Sequence, residues 1–352
     1  MTPRAIADGA RSPALSPGLR TLIGLAASVI ALAGLWLGRD LVAPLALAAV
    51  IVIICQPVRH RLDGSGRPRW LGTLLVVATA WGVLVALALL LVLASLQFVR
   101  LIDDYTDELT AASQTLTQWL HGLGLTMHDS EWNAAFLQPS TILGYAASLT
   151  GSMLSVIAAL FFVFAYLIYM SVDAARYSLA ETSFGADARP ALARFHHFSA
   201  GVRRYYLVNA AFGATVAVVD GLALWALGVP APIVWAVLAF VTNFIPNIGF
   251  VIGLIPPALL ALVVGGWPLM VAVIVIYCAV NVVLQVLVQP KFVSDAVNLS
   301  LTLTFFSVIF WTFIIGPLGA VLAIPLTLLT RALLLEGDPG SRWLRWLSGA
   351  AV

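Results

Sequence analysis

Apolar positions along this chain fall in long, nearly unbroken runs. They do not alternate at the two-residue period of a half-buried strand, nor do they form the narrow stripe of a surface helix. The runs cover residues 19–37, 41–54, 71–98, 149–172, 207–227, 233–264, 268–288 and 299–335. A spanning helix needs roughly 20 mostly apolar residues. The pattern therefore predicts an all-α, polytopic integral membrane protein with about eight apolar runs. The first run leads through Gly38-Arg39-Asp40 into the second with no small-residue cleavage site, so it is expected to be a span and not a removed signal peptide.

Two runs are too long and are interrupted near their centres. A straight helix over 233–264 would measure about 48 Å, against a hydrocarbon core of about 30 Å. That run contains Asn243-Phe244-Ile245-Pro246-Asn247-Ile248-Gly249, and the run 299–335 contains Ile315-Gly316-Pro317-Leu318-Gly319. Proline removes a helical hydrogen bond, and glycine lets the chain reverse. Each run is then either a long kinked helix or a re-entrant hairpin of two half-length helices. Length and break position favour hairpins. Irregular backbone at membrane depth is tolerated only inside protein or beside a water-filled cavity. A pair of Gly/Pro-interrupted segments is also the best sequence pointer to a transporter's binding site.

Arginine placement sets an orientation. The tail carries Arg4, Arg11 and Arg20, and the loop after the second run carries Arg59, Arg61, Arg67 and Arg69. Segment 173–205 adds Arg176, Arg189, Arg194, Arg203 and Arg204, and the C-terminal tail Arg342 and Arg345. All these read as cytoplasmic under the positive-inside rule, so both termini are placed inside. Segment 99–147 holds Arg100 against six acidic residues and reads as external.

Composition narrows the class further. Apolar residues make up 61% of the 352 and charged residues 10%, where a soluble domain carries about 25% charged. With two cysteines and a formal charge of +2, disulfide scaffolds, disordered chains and nucleic-acid binders are excluded. The single lysine, Lys291, has no phosphate-binding glycine loop around it, so ATP-driven transport by this chain is excluded too. Cys55 and Cys278 lie within apolar runs and read as packing residues. No zinc-type spacing and no catalytic carboxylate set emerges, so no metal, cofactor or enzymatic activity is expected.

Polar residues inside the runs are the candidates for chemistry. Asp220 is the one acidic residue deep in a run. It reads either as a proton or sodium site or as an aspartate near the outer interface. Asn243 and Asn247 flank Pro246, and Asn281, Gln285 and Gln289 recur at four-residue spacing, on one helix face. Carboxamides aimed at a hairpin tip can hydrogen-bond a small polar solute without fixing a charge. Asn209 and Gln289 read instead as interhelical glue. Outside the bilayer, Ile102, Tyr105, Leu109, Ala112, Leu116, Trp119 and Leu123 form a heptad-like stripe, expected at an oligomer contact. Leu192, Phe195, Phe198 and Val202 form the apolar stripe of a basic amphipathic helix, expected against anionic membrane lipids.

The stretch Val241-Thr242-Asn243-Phe244-Ile245-Pro246-Asn247-Ile248-Gly249, with Pro256, Gly265-Gly266, Gln289-Pro290-Lys291 and the sequence from Gly316 to Leu326, resembles the signature of the autoinducer-2 exporter family of bacterial membrane proteins. Asn247 and Phe250 depart from it, since the family usually carries an aromatic residue and often a proline there. The resemblance implies an inner-membrane exporter of small solutes with two hairpins at its substrate site. It also implies a homo-oligomer, a pentamer by family habit, and an elevator-like movement. Some members look like sodium/proton antiporters.

The chain is accordingly divided into a cytoplasmic tail 1–18, three transmembrane helices in 19–98, an external amphipathic segment 99–147, a fourth span 148–172, a cytoplasmic basic segment 173–205, a transport core 206–335 and a cytoplasmic tail 336–352. The expected substrate site comprises Asn243, Pro246, Asn247, Gly249, Asn281, Gln285, Gly316, Pro317 and Gly319, with Asp220 for ion coupling. Export of a small polar solute is the leading expectation. The alternatives are sodium/proton antiport through Asp220 and a non-transporting membrane scaffold.

Overall fold

The computed structural model describes residues 16–63, 69–105, 107, 110, 111, 153–184, 189–289, 292 and 299–334. Among these residues the fold is helical and contains no strand. The helices are α1 (Pro17–Leu37), α2 (Arg39–Asp63), α3 (Arg69–Asp104), α4 (Met153–Phe184), α5 (Arg189–Ala226), α6 (Pro232–Thr242), α7 (Gly249–Asn281), α8 (Leu301–Ile315) and α9 (Pro317–Leu334). A π-helical stretch, Val282–Val288, continues α7. The tails, the loop 64–68, most of the external segment and both Lys291 and Asp295 lie outside the described residues.

Local chemistry explains the helix ends. Ser16 caps α1 by accepting from the Leu19 amide at 3.3 Å, and Pro17 takes the first helical position. Ser300 caps α8 in the same way, accepting from the Leu303 amide at 3.2 Å. The end of α5 is a Schellman turn: the Val229 amide donates to the Leu224 carbonyl and the Gly228 amide to Trp225, with Gly228 at φ 72°. Glycine also breaks α7, because Gly266 sits at φ 68° and ψ −167°. Pro268 then lies in the first turn of the helix that follows, where its missing N–H costs nothing.

Three expected segment boundaries are not helix boundaries. Helix α3 runs through the end of its apolar run to Asp104, α4 passes the end of the fourth span to Phe184, and α5 joins the basic amphipathic segment and the next run into 38 continuous residues. Arg203 and Arg204 stand just before the apolar run 207–227, but charge does not end a helix. The amphipathic stripe of α5 turns partly inward. Val202 is buried and Phe198 packs against the cluster of α8 and α9, while Phe195 stays exposed. Of the external stripe, Tyr105 is described, and it packs against the cluster that contains Trp235.

Four stretches are long and apolar enough to cross a membrane by length and composition: Arg39–Pro57, Trp70–Phe98, Arg189–Ala226 and Gly249–Val288. The last contains the Gly266 break. The remaining apolar helices are shorter. With 11 residues α6 is about 16 Å long, and with 15 residues α8 is about 22 Å. Leu22, Ile23, Leu25 and Val29 of α1 and Leu74, Val83, Leu89 and Leu93 of α3 face outward. An exterior this apolar suits lipid and not water. Inside, one cluster joins α1, α2, α5, α8 and α9, a second joins α3, α5, α6 and α7, and a third joins α2, α3 and α4.

Candidate functional site

At both sequence breaks the chain folds back on itself. Between α6 and α7 the Ile245 amide donates to the Thr242 carbonyl, the Ile248 amide to Pro246 and the Gly249 amide to Ile245. Asn247 takes φ 63°, a left-handed conformation that asparagine tolerates better than most residues. A methyl group at Gly253 would lie 3.6 Å from the Ala239 Cα, where a straight helix would separate the two residues by about 21 Å. A methyl at Gly249 would lie 1.8 Å from the Thr242 carbonyl oxygen, so only glycine allows this return. At the second break Gly316 takes φ 78° and ψ −162°. A methyl at Gly319 would come within 2.0 Å of the Trp311 carbonyl oxygen. Trp311 Nε1 donates across the pair to Thr327 Oγ1 at 3.0 Å.

The two turns lie side by side. Phe244, Ile245 and Ile248 of the first pack against the cluster that contains Ile314, Ile315 and Ala320 of the second. Tyr206 of α5 links them directly. Its ring stacks on Phe244 with centroids 6.3 Å apart, and its hydroxyl donates to the Val321 carbonyl at 2.9 Å.

One helical turn along α5, Asn209 organises the carboxamides. Its backbone carbonyl accepts from Asn243 Nδ2 at 3.1 Å, and its Oδ1 accepts from Gln289 Nε2 at 2.6 Å. Gln285 Nε2 donates to Asn243 Oδ1. The result is a chain of amides, Gln289–Asn209–Asn243–Gln285, that ties the first turn to α5 and to the π-helical stretch. Gly213 makes room for it, since a methyl there would lie 2.7 Å from Asn243 Nδ2. A π-helical stretch within an α-helix is rare and recurs at functional sites.

A small cavity with room for about one water molecule opens beside this network. Asp220, Thr242, Gly253, Tyr277, Asn281 and Gln285 are among its lining residues. Asp220 is 2% exposed and belongs to the buried stripe of α5 that includes Asn209, Gly213, Val216 and Leu224. Within this chain the protein shields Asp220 from water.

The expected site residues therefore separate by position. Asn243 and Gln285 share the amide network. Asn281 faces the cavity with Asp220 and Gln285. Pro246 is partly buried, Asn247 is exposed and Gly249 is buried at the first turn. At the second turn Gly319 is buried and Pro317 exposed. Cys55 and Cys278 are both free thiols.

The AI-2E transporter family matches residues 25–337. The chain belongs to that family. The AI-2 transport protein TqsA of Escherichia coli is 25% identical over 323 residues, covering 89% of this chain and 91% of TqsA. A protein of Haemophilus influenzae is 28% identical over 327 residues, covering 92% of this chain and 94% of that protein. YhhT of Escherichia coli is 25% identical over 310 residues, 88% of each chain. Family membership and the apolar helices together make this a multi-pass membrane transporter.

In this AI-2E transporter, Tyr206, Thr242, Tyr277 and Gly213 join the site although the sequence does not single them out as site residues. One signal existed for the burial of Asp220. Stepping from Asn209 through Gly213 and Val216 by four and three residues reaches Asp220 along one helix face. Nothing distinguishes the tyrosines from the many other aromatic residues of the runs.

Proposed function

We propose that this AI-2E transporter is a secondary transporter that exports small polar solutes across the bacterial cytoplasmic membrane. The observation that carries this reading is the amide network at the first turn, built on broken backbone and set against the second turn. Carboxamides there both donate and accept without carrying charge. In this reading the two helix pairs are re-entrant hairpins with tips near the bilayer middle. At about 16 Å, α6 is half the length of the roughly 30 Å hydrocarbon core. The hairpins move in elevator fashion against a scaffold formed by the first four spans, within a homo-oligomer, a pentamer by the family resemblance. Both termini face the cytoplasm, in keeping with the arginine distribution. The solute named for TqsA, autoinducer-2, is the first cargo to try.

Flux into and out of proteoliposomes tests this reading, with autoinducer-2 and a panel of small polyhydroxylated solutes. Wild type should move at least one of them, and Asn243→Ala should lose that flux while inserting normally. Equal flux in the variant would remove the network from the transport path.

A second reading, sodium/proton antiport, is favoured by the burial of Asp220, whose Oδ1 has no hydrogen-bond partner. Cation flux driven by a proton gradient should then be present in wild type and absent in Asp220→Asn.

A further inference from the structure

Three buried oxygens in the cavity between α5 and α7 lack any hydrogen-bond partner: Asp220 Oδ1, Tyr277 Oη and Asn281 Oδ1. Asp220 and Tyr277 are each 2% exposed. Buried polar atoms are almost always partnered, because leaving one unmade costs its full desolvation. One such orphan is a local defect. Three lining one water-sized cavity form an oxygen-donor set. We infer that this cavity is a binding site for a sodium ion, held by Asp220, Tyr277 and Asn281.

The donor set decides the class of ligand. All three atoms are oxygens, which suit hard cations and not the soft metals that thiolates select. Among the described residues no cluster of three or more histidine, cysteine or acidic groups exists that could hold a transition metal. Asp220 is the one acidic residue lining the cavity, so its carboxylate balances a single positive charge. No lysine, arginine or histidine lines the cavity to supply that charge from the protein. A water molecule bonding all three oxygens suffices where Asp220 is protonated; the ionised carboxylate needs a cation, because charges within the membrane are paired.

The surroundings tie the site to the first helix pair. Thr242, the last residue of α6, lines the same cavity. Its hydroxyl proton is donated to the Leu238 carbonyl at 2.9 Å, which leaves the oxygen's lone pairs free. Gly253 keeps that oxygen uncovered, because a methyl there would lie 2.9 Å from Thr242 Oγ1. An ion bound between Asp220 and Tyr277 therefore lies beside the end of α6. The site deepens the ion-coupled reading and rests on it only for what the ion does.

Binding can be measured without transport. Purified full-length protein in detergent is titrated with radioactive sodium chloride at constant ionic strength, with choline chloride as the balancing salt. Wild type should bind sodium saturably, displaced by unlabelled sodium chloride and not by choline. Asp220→Asn, which keeps the shape and removes the charge, should lose saturable binding. Tyr277→Phe and Asn281→Ala should each weaken binding by about tenfold or more. Absence of saturable binding in wild type would mean that the cavity holds only water, and would overturn the site. Wild-type binding by Asp220→Asn would overturn it as well. Should Asp220→Asn fail to fold, the other two variants decide, since binding unchanged in both is equally fatal. Saturable binding without sodium-coupled flux would end the coupling reading and leave the site standing.

Discussion

The two chain reversals share a backbone device and differ in everything attached to it. Both need a glycine whose missing side chain admits a carbonyl: Gly249 against Thr242, and Gly319 against Trp311. The first reversal is a wide turn from Asn243 to Ile248 that carries two asparagines, one of them hydrogen-bonded to α5 and to Gln285. The second is a single glycine, Gly316, between Ile315 and Pro317, and its neighbours are apolar. A turn only needs to reverse the chain. A turn that also spends buried polar groups on a network has to satisfy each of them, and such networks specify one arrangement. The first reversal has the features of a site and the second those of a support.

That comparison breaks most severely where the two turns are alike. Gly249→Ala and Gly319→Ala each place a methyl within 2.0 Å of a backbone carbonyl oxygen. Backbone cannot step aside as a side chain can, so each should cost about 3 kcal/mol, at the upper end of overpacking. Thermal melting of the detergent-solubilised protein should fall by a similar amount for both. A large loss at one and none at the other would show that only one pair depends on close return. Transport is a poor probe at these positions, because loss of packing and loss of site look the same.

Transport separates the turns at their polar positions. Asn243→Ala leaves Gln285 Nε2 without its acceptor and removes the side-chain donor to the Asn209 carbonyl, which keeps its place in the α5 ladder. The orphaned amide should cost about 1–3 kcal/mol in stability, and solute flux should drop by about tenfold or more. Pro317→Ala removes an exposed ring at the start of α9 and no hydrogen bond. Its flux should stay within about twofold of wild type. Equal losses at the two positions would make the second turn part of the solute path and erase the proposed division of labour.

How much of this was legible from the sequence depends on the type of signal. Both breaks were legible because proline and glycine act on their own neighbours, whereas kink and reversal leave the same mark in sequence. The gap between runs at 264 and 268 likewise coincides with the Gly266 break. The continuity of α5 was not legible, because Arg203 and Arg204 interrupt hydropathy without interrupting helical hydrogen bonds. The partners of the carboxamides were out of reach as well. Asn209 and Gln289 meet across 80 residues, and Asn243 and Gln285 across 42. Four-residue spacing places Asn281, Gln285 and Gln289 on one face but does not say which helix they face. Tyr206 was invisible for a further reason: an aromatic residue at the edge of an apolar run reads as core, and its hydroxyl matters only once the Val321 carbonyl is beside it.

Tyr206 also offers a finer test of how closely the turns are joined. Tyr206→Phe keeps the ring against Phe244 and deletes the bond to the Val321 carbonyl. The expected loss is about 1 kcal/mol, the worth of one hydrogen bond whose acceptor has a second way to be satisfied. Combining it with Phe244→Leu in a double-mutant cycle should reveal coupling of about 0.5 kcal/mol or more. Strict additivity would mean that the first turn is indifferent to how α5 holds the second.

The smallest effect sits at Asn247. Its side chain is exposed and its φ of 63° is a backbone requirement. Glycine meets that requirement without strain, and alanine does not. Asn247→Gly should therefore leave melting within about 0.5 kcal/mol of wild type, whereas Asn247→Ala should cost about 1 kcal/mol. Transport gives the sharper half of the comparison. If flux follows stability, so that glycine is neutral and alanine mildly harmful, Asn247 contributes conformation alone and the solute meets Asn243. If glycine abolishes flux while the protein melts normally, the exposed carboxamide itself contacts cargo. The polar face of the first turn would then extend from the α5 network out to its tip.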